Sequence, residues 1–306
     1  MTTIGTSTAA FYERSGIDMA ALRARSEELQ KQMGRGERLA RSSDDPVAAS
    51  RLRHLGRAER LSAIDETNAD RATADLSLAD AALTSFADGI ARAQELATLA
   101  ANGTLNAGQR ASIGTELEHL HGTLLGLANA RDSAGHALFG GEAVGAAYAV
   151  DAAGGAVYLG TAGTGDLSLG EGQSVTRGIT GPEFLTFKVN GNDTDLLSVV
   201  AGLASALQGT SGDPAGAARD ALGALDTGME SVTTAQTIVG ARLGWIDLTT
   251  ERRTNLGELR ADEQAKIGGT DIAKTVVDLQ NTMLVLEASQ ASFARLASLS
   301  LFDQLR

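Results

Sequence analysis

The stretch Thr270–Arg306, TDIAKTVVDLQNTMLVLEASQASFARLASLSLFDQLR, decides how the rest of the chain is read. Apolar residues fall at Ile272, Val276, Leu279, Met283 and Leu286, alternating four and three apart. The rhythm continues weakly through Gln290 to Phe293 and Ala297. This alternation is the period of a coiled-coil seam, which keeps one face of a helix turned toward a partner helix. In this sequence no further segment follows to cover it. Water is a poor solvent for such a stripe, so the seam requires a partner, either the chain's own other end or a different molecule.

Moving outward, the opposite end supplies a match. Met19, Leu22, Ser26, Leu29 and Met33 share the same spacing in a helix predicted over about 8–33, which Gly34 and Gly36 end. A second helix opens at Ser43-Asp44-Asp45-Pro46. Asp45 can cap the free amides, and Pro46 suits a first position where its missing N–H costs nothing. Its seam runs Ala72, Leu76, Ala79, Leu83, Phe86, Ile90, Ala93, Ala97 and stops at Asn102-Gly103. A helix of that extent is about 80 Å long.

A third helix starts near Asn106, with Gln109 placed for a capping box, and carries Ile113, Leu117, Leu120, Leu124 and Leu127. Asp213-Pro214 repeats the cap-and-proline start and opens a fourth long helix through Leu222, Leu225, Met229, Val232, Gln236, Val239, Leu243 and Ile246. Its pattern slips near Thr250 and resumes at Leu256 and Leu259, before Gly268-Gly269. Between the helical halves the character changes. Short β-type runs at 147–150, 157–159, 167–169 and 184–189 sit among glycines, followed by a short helix near 195–207.

The fold class expected is mainly α. Both chain ends form a long antiparallel, coiled-coil-like helical rod, with a small β-rich domain inserted at its far end. The expected segments are an N-terminal assembly helix (1–42), rod helices (43–138), the β-rich part with its short helix (139–212), a rod helix (213–267) and a C-terminal assembly helix (268–306). The residues expected at helix–helix and subunit interfaces are Met19, Leu22, Leu29, Met33, Ile272, Val276, Leu279, Met283, Leu286, Phe293, Leu296, Leu301 and Phe302. Asp44, Asp45 and Pro46 form the helix-start motif.

Composition narrows the functional classes. Aromatic residues make up 4% and there are 3 prolines, which favours long uninterrupted helices. A net charge of −12 argues against nucleic acid or an anionic membrane as the main partner. The Arg-rich stretch 22–60 is offset by its own acids and reads as a solvated helix face. Without cysteine there is no disulfide, thiolate nucleophile or zinc–thiolate site. The first residues lack the apolar core of a secretory signal peptide, and no run is long enough for a membrane span. Composition alone would place the protein in the cytoplasm.

Candidate chemistry is sparse. Glu116-Leu117-Glu118-His119-Leu120-His121 contains Glu-x-x-His twice, but both pairs lie within one turn and point in different directions. Helical di-iron sites need such pairs on two helices. The run Gly160–Gly165 lacks the Lys-Ser/Thr of a phosphate loop and reads as a turn. No catalytic, cofactor or metal residues are therefore expected, and the chain is not read as an enzyme. Trp245 sits beside the Leu243–Ile246 seam and is expected to pack at a helix–helix or subunit contact.

Three stretches carry a family resemblance. They are Ser42-Ser43-Asp44-Asp45-Pro46-Val47-Ala48-Ala49-Ser50, Glu95-Leu96-Ala97-Thr98-Leu99-Ala100-Ala101-Asn102-Gly103-Thr104-Leu105, and Ala288-Ser289-Gln290-Ala291-Ser292-Phe293 with Leu299-Ser300-Leu301-Phe302-Asp303-Gln304-Leu305. The chain resembles the flagellin superfamily, and within it the hook–filament junction proteins more than the filament flagellins. The resemblance implies a structural adapter ring on the bacterial flagellum, assembled through terminal helices that order on assembly. The alternative it leaves open is a flagellin, the filament subunit itself, or a flagellin-like surface protein. It implies self-association, flagellar axial proteins as partners and an export chaperone. It also reverses the cytoplasmic placement, implying an extracellular protein exported through the flagellar type III channel without a cleaved signal peptide.

Overall fold

The computed structural model describes the backbone of residues 4–132, 134–150 and 155–304, and the side chains of 10–132, 134–150 and 155–296. Seven helices are described: α1 (Ile4–Arg35), α2 (Pro46–Ala100), α3 (Ala107–Ala128), α4 (Gly181–Leu185), α5 (Leu196–Ser205), α6 (Pro214–Gly268) and α7 (Ile272–Gln304). A π-helical turn (Ala206–Thr210) after α5 and six short strands complete the described secondary structure: β1 (Tyr148–Val150), β2 (Ala156–Tyr158), β3 (Asp166–Gly170), β4 (Gln173–Thr176), β5 (Thr186–Val189) and β6 (Asn192–Asp195). The protein is mainly α with a small β part, as its helical periodicity predicts.

The strands pair as three separate antiparallel hairpins, β1–β2, β3–β4 and β5–β6. Glycine-punctuated runs of three to five residues are too short to build a larger sheet. The sequence pattern places Phe184 and Leu185 in a strand, and the structure corrects this. They close the short helix α4, whose start is fixed by a capping box between Thr180 and Glu183, with Pro182 in its first turn. Propensity favoured a strand, but the cap decided the local conformation. The phase slip near Thr250 likewise produces no break, because α6 is continuous from Pro214 to Gly268. Asn106 and Gln109 do form the reciprocal capping box at α3.

The chain divides into two compact units, residues 61–254 and residues 1–60 with 255–306. In the 61–254 unit, α2 contributes the predicted stripe Ala72, Leu76, Ala79, Leu83, Phe86, Ile90, Ala93 and Ala97, all buried. From α6 come Leu225, Val232, Ala235, Val239 and Ile246, and from α3 Leu117 and Leu124. Phe86 packs edge-on against Phe139 and Phe184, whose own rings are tilted with centroids 4.9 Å apart. The hairpins are part of this core: Leu169, Val175 and Phe187 join the same buried cluster. The side-chain amide of Asn129 holds β1 by donating to the Tyr148 carbonyl and accepting from its N–H, at 3.1 and 2.9 Å. Hairpin β3–β4 is fixed by Asn68, which donates to the Ser168 carbonyl, and by Arg253, which donates to that of Leu169.

Candidate assembly surface

The unit of residues 1–60 with 255–306 is built from α1 and α7, with the first turns of α2 and the last turns of α6. Helices α1 and α7 run antiparallel. The Tyr12 ring meets Phe293 edge-on at 5.3 Å, and the Tyr12 hydroxyl donates to the Leu296 carbonyl. At the other end Gly36 lies beside Thr270. On α1 the inward face is Tyr12, Ser15, Met19, Leu22, Ser26, Leu29 and Met33. That is the predicted seam with two more turns added, and Leu29 is only 2% exposed.

On α7 the inward face is Val276, Leu279, Thr282, Leu286, Ser289 and Phe293. The heptad read from the sequence put Met283 at the central position. The structure turns Thr282 inward and leaves Met283 exposed, together with Ile272 and Leu296. Steps of three and of four are both compatible with a helical stripe, and the register against α1 chose the three-residue step here. Leu301 and Phe302 lie within α7, with side chains outside the described residues.

The α1–α7 pair is apolar on more than its inner face. Val277, Leu284 and Val285 of α7 are exposed, Leu284 to 65%, as are Phe11 and Ile17 of α1. Phe11, Met19, Val285, Ala288, Phe293 and Leu296 line a groove of about 350 Å³ between the two helices. Two helices can bury one face each against the other, so an apolar surface wider than one stripe is left over.

A clasp ties together the two chain segments that connect α1 and α7 to the long helices. Glu37 and Gly269 form an antiparallel bridge, with Arg38 N–H donating to Gly268 at 2.8 Å and Thr270 N–H to Gly36 at 3.0 Å. The Arg38 guanidinium donates to the Ile267 carbonyl at 3.0 Å and pairs with Asp45 at 3.2 Å, capping the end of α6. Asp45 accepts from the Ala48 N–H at 3.0 Å, as its place at the start of α2 predicts. The Ala48 amide and the Arg38 guanidinium hold the Asp45 carboxyl below the usual carboxylate range. Asp44 closes the preceding turn by accepting from the Arg41 N–H at 2.7 Å, and Pro46 begins α2. Arg51 and Glu263 add a bidentate pair at 2.6 and 2.8 Å.

Glycine is required at two clasp positions. Gly36 has φ +71°, and a Cβ at Gly269 would stand 2.3 Å from the Ala265 carbonyl oxygen. The sequence marks both segments as helix breaks. It carries no sign that Glu37 and Arg38 reach across to them, because that pairing is long-range.

In the 61–254 unit, Arg177 joins Asp75 at 2.9 Å and Asp132 at 3.1 Å beside a cleft of about 360 Å³. Burial pushes the Asp132 carboxyl up, but the backbone N–H groups of His136 and Ala134 outweigh it and hold it below the ordinary value. The network satisfies its own charges and reads as a tie between α2, the loop after α3 and β4. The Glu-x-x-His residues of α3 form no metal cluster among the described residues.

A family model described as the bacterial flagellin N-terminal helical region matches residues 7–143, from α1 through α3. That match spans less than half of the chain, and over it the chain is similar to a flagellin N-terminal helical region. Over 135 residues it is 34% identical to flagellar hook-associated protein 3 of Salmonella typhimurium, covering 44% of this chain and 43% of that protein. Flagellar hook-associated protein 3 of Escherichia coli is 37% identical over 111 residues, 36% of this chain and 35% of that one. The chain thus matches less than half the length of these curated relatives.

The fold is shared more widely. A solved flagellar hook-associated protein of Vibrio parahaemolyticus superposes with a TM-score of 0.68 at 24% identity, covering 74% of this chain and 100% of that one. The flagellar junction protein of Legionella pneumophila gives a TM-score of 0.60 at 14% identity, covering 71% and 99%.

Proposed function

We propose that this chain is a structural subunit of the bacterial flagellum, forming the adapter ring between hook and filament. The observation that carries the reading is the α1–α7 pair. Its inner faces are spent on each other, and Val277, Leu284 and Val285 remain uncovered beside an apolar groove. The names of the sequence relatives and the shared fold support the same reading. Helices of neighbouring axial subunits cover this apolar surface. Burying each large side chain contributes about 1.5–3 kcal/mol before ordering costs. Those costs fall on the terminal helices, so folding and association are coupled.

The partners are other flagellar axial proteins, namely the hook-side junction protein and flagellin, together with further copies of this chain and an export chaperone. The protein works outside the cell, after export without a cleaved signal peptide. Removing residues 270–306 tests the mechanism: export continues and filaments no longer attach, whereas normal motility of that deletion sinks it. Immunogold labelling of intact cells tests the position. A single band at the distal end of the hook is expected, and label along the whole filament makes the chain a filament subunit instead.

A further inference from the structure

Two faces of the 61–254 unit expose no charged residue over about four helical turns, in a chain whose net charge is −12. On α6 the exposed positions from 231 to 246 are all neutral, and they include Ile238, Gly240, Ala241, Gly244 and Trp245. Arg242, within the same span, is turned to the Gly178 carbonyl. Trp245, the single tryptophan of the chain, is 41% exposed, and Leu248 follows at 58%, beyond the exposed Asp247. On α2 the exposed positions from 72 to 87 are Ala74, Ser77, Leu78, Ala81, Thr84 and Ser85, again without charge. Of the two acids in that span, Asp75 is buried and held by Arg177, and Asp80 is half-buried, about 160° round the helix from Leu78.

Gly240 and Gly244 of α6 have no internal reason. A Cβ at Gly240 or Gly244 would meet nothing within 4 Å. Glycine inside a helix is nonetheless destabilising relative to alanine. Together with Ala241 they leave a hollow on the exposed face, between the bulky Ile238 and Trp245.

The α2 face has the inverse relief. Leu78, 43% exposed, stands between the small Ala74 and Ala81. Ile238 and Trp245 are two turns apart, about 10.5 Å along the helix axis, and so are Ala74 and Ala81. A leucine ridge flanked by two small positions therefore matches, in spacing and size, a small-residue hollow flanked by two bulky ones.

We propose that the α6 face packs against the α2 face of a second copy of this chain, with Leu78 of one copy over Ala241 of the next. The proposal rests on the flagellar assembly reading above and names the surface through which copies meet. Charge favours a second copy over a charged partner. Two acidic chains repel unless they approach through uncharged faces, and a basic or acidic partner would find no counter-charge here. Size favours unlike faces. An antiparallel α6–α6 contact would set Ile238 against Trp245 and leave the glycine hollow unfilled. A contact between unlike faces leaves one of each free at the ends and so propagates from copy to copy, closing into a ring when the rotation between copies divides a full turn.

The chain has no cysteine, so single cysteines report contacts cleanly. Leu78→Cys and Ala241→Cys chains are produced separately and together in cells that assemble flagella. Isolated flagella are then treated with a short bismaleimide. A covalent dimer is expected from the co-expressed pair and from neither variant alone. A dimer from one variant alone means like faces meet and overturns the proposal. No dimer, with both variants detected on the flagella by immunolabelling, overturns it and leaves the flagellar reading standing. Absence of the unmodified chain from flagella overturns the flagellar reading and this proposal together.

Discussion

Leu29→Ala separates the stability of the α1–α7 pair from that of the rest of the chain. Leu29 is 2% exposed on the inward face of α1, while most of its seam neighbours are half-buried. The substitution removes carbon worth about 2.4 kcal/mol in transfer terms, at about 0.8 kcal/mol per buried carbon. A residual cavity raises that figure toward the 2–5 kcal/mol range of buried leucine truncations. A loss of about 2.4 kcal/mol is roughly a 60-fold change in an opening equilibrium. Amide hydrogen exchange of α1 and α7 therefore accelerates by roughly 60-fold or more. Amides of α2 from 72 to 97, whose seam packs in the other unit, keep their protection. Acceleration below about tenfold in α1 and α7, or equal acceleration at 72–97, refutes the assignment of Leu29 to a separately stabilised helix pair.

Two further predictions concern the polar ties. Arg177→Met leaves buried Asp75 and Asp132 without their cation and lowers the stability of the 61–254 unit by about 1–3 kcal/mol, allowing for the partial exposure of Arg177. Urea unfolding followed by ring-sensitive circular dichroism measures this. Because the native Asp132 carboxyl is held below its ordinary value, its contribution is complete above about pH 4 and is lost as pH falls through the lower native value. Asp132→Asn flattens stability against pH in that acid window and leaves it unchanged in slope near neutrality. Gly269→Val brings a Cβ against the Ala265 carbonyl and opens the clasp. The Arg38 amide then exchanges faster, while the α3 amides do not.

Much of this protein was legible in its sequence. Period and punctuation located α2, α3 and α6 to within a few residues, because Asp-Pro starts, a capping box and glycine stops act through local hydrogen bonding and sterics. The α1 seam at Met19, Leu22, Leu29 and Met33 was legible for the same reason, since spacing on a helix fixes which side chains share a face. Charge is sparse from Ala74 to Ser85, where only Asp75 and Asp80 fall, and from Thr233 to Trp245, where only Arg242 falls; that is also written in the sequence, but its meaning depends on which of those side chains are exposed.

Tertiary structure decided the rest. Whether Thr282 or Met283 of α7 turns inward is a question of register against α1, and a stripe that allows steps of three or four leaves it open. The short helix at Phe184–Leu185 won over a strand because Thr180 and Glu183 close a cap there. The clasp of Glu37 and Arg38 with Ile267–Thr270 joins residues far apart in the chain, so no local pattern encodes it. Local rules fix which residues form helices and which face of each is apolar. Only packing fixes which of those faces are used within the chain, and so which remain for neighbours.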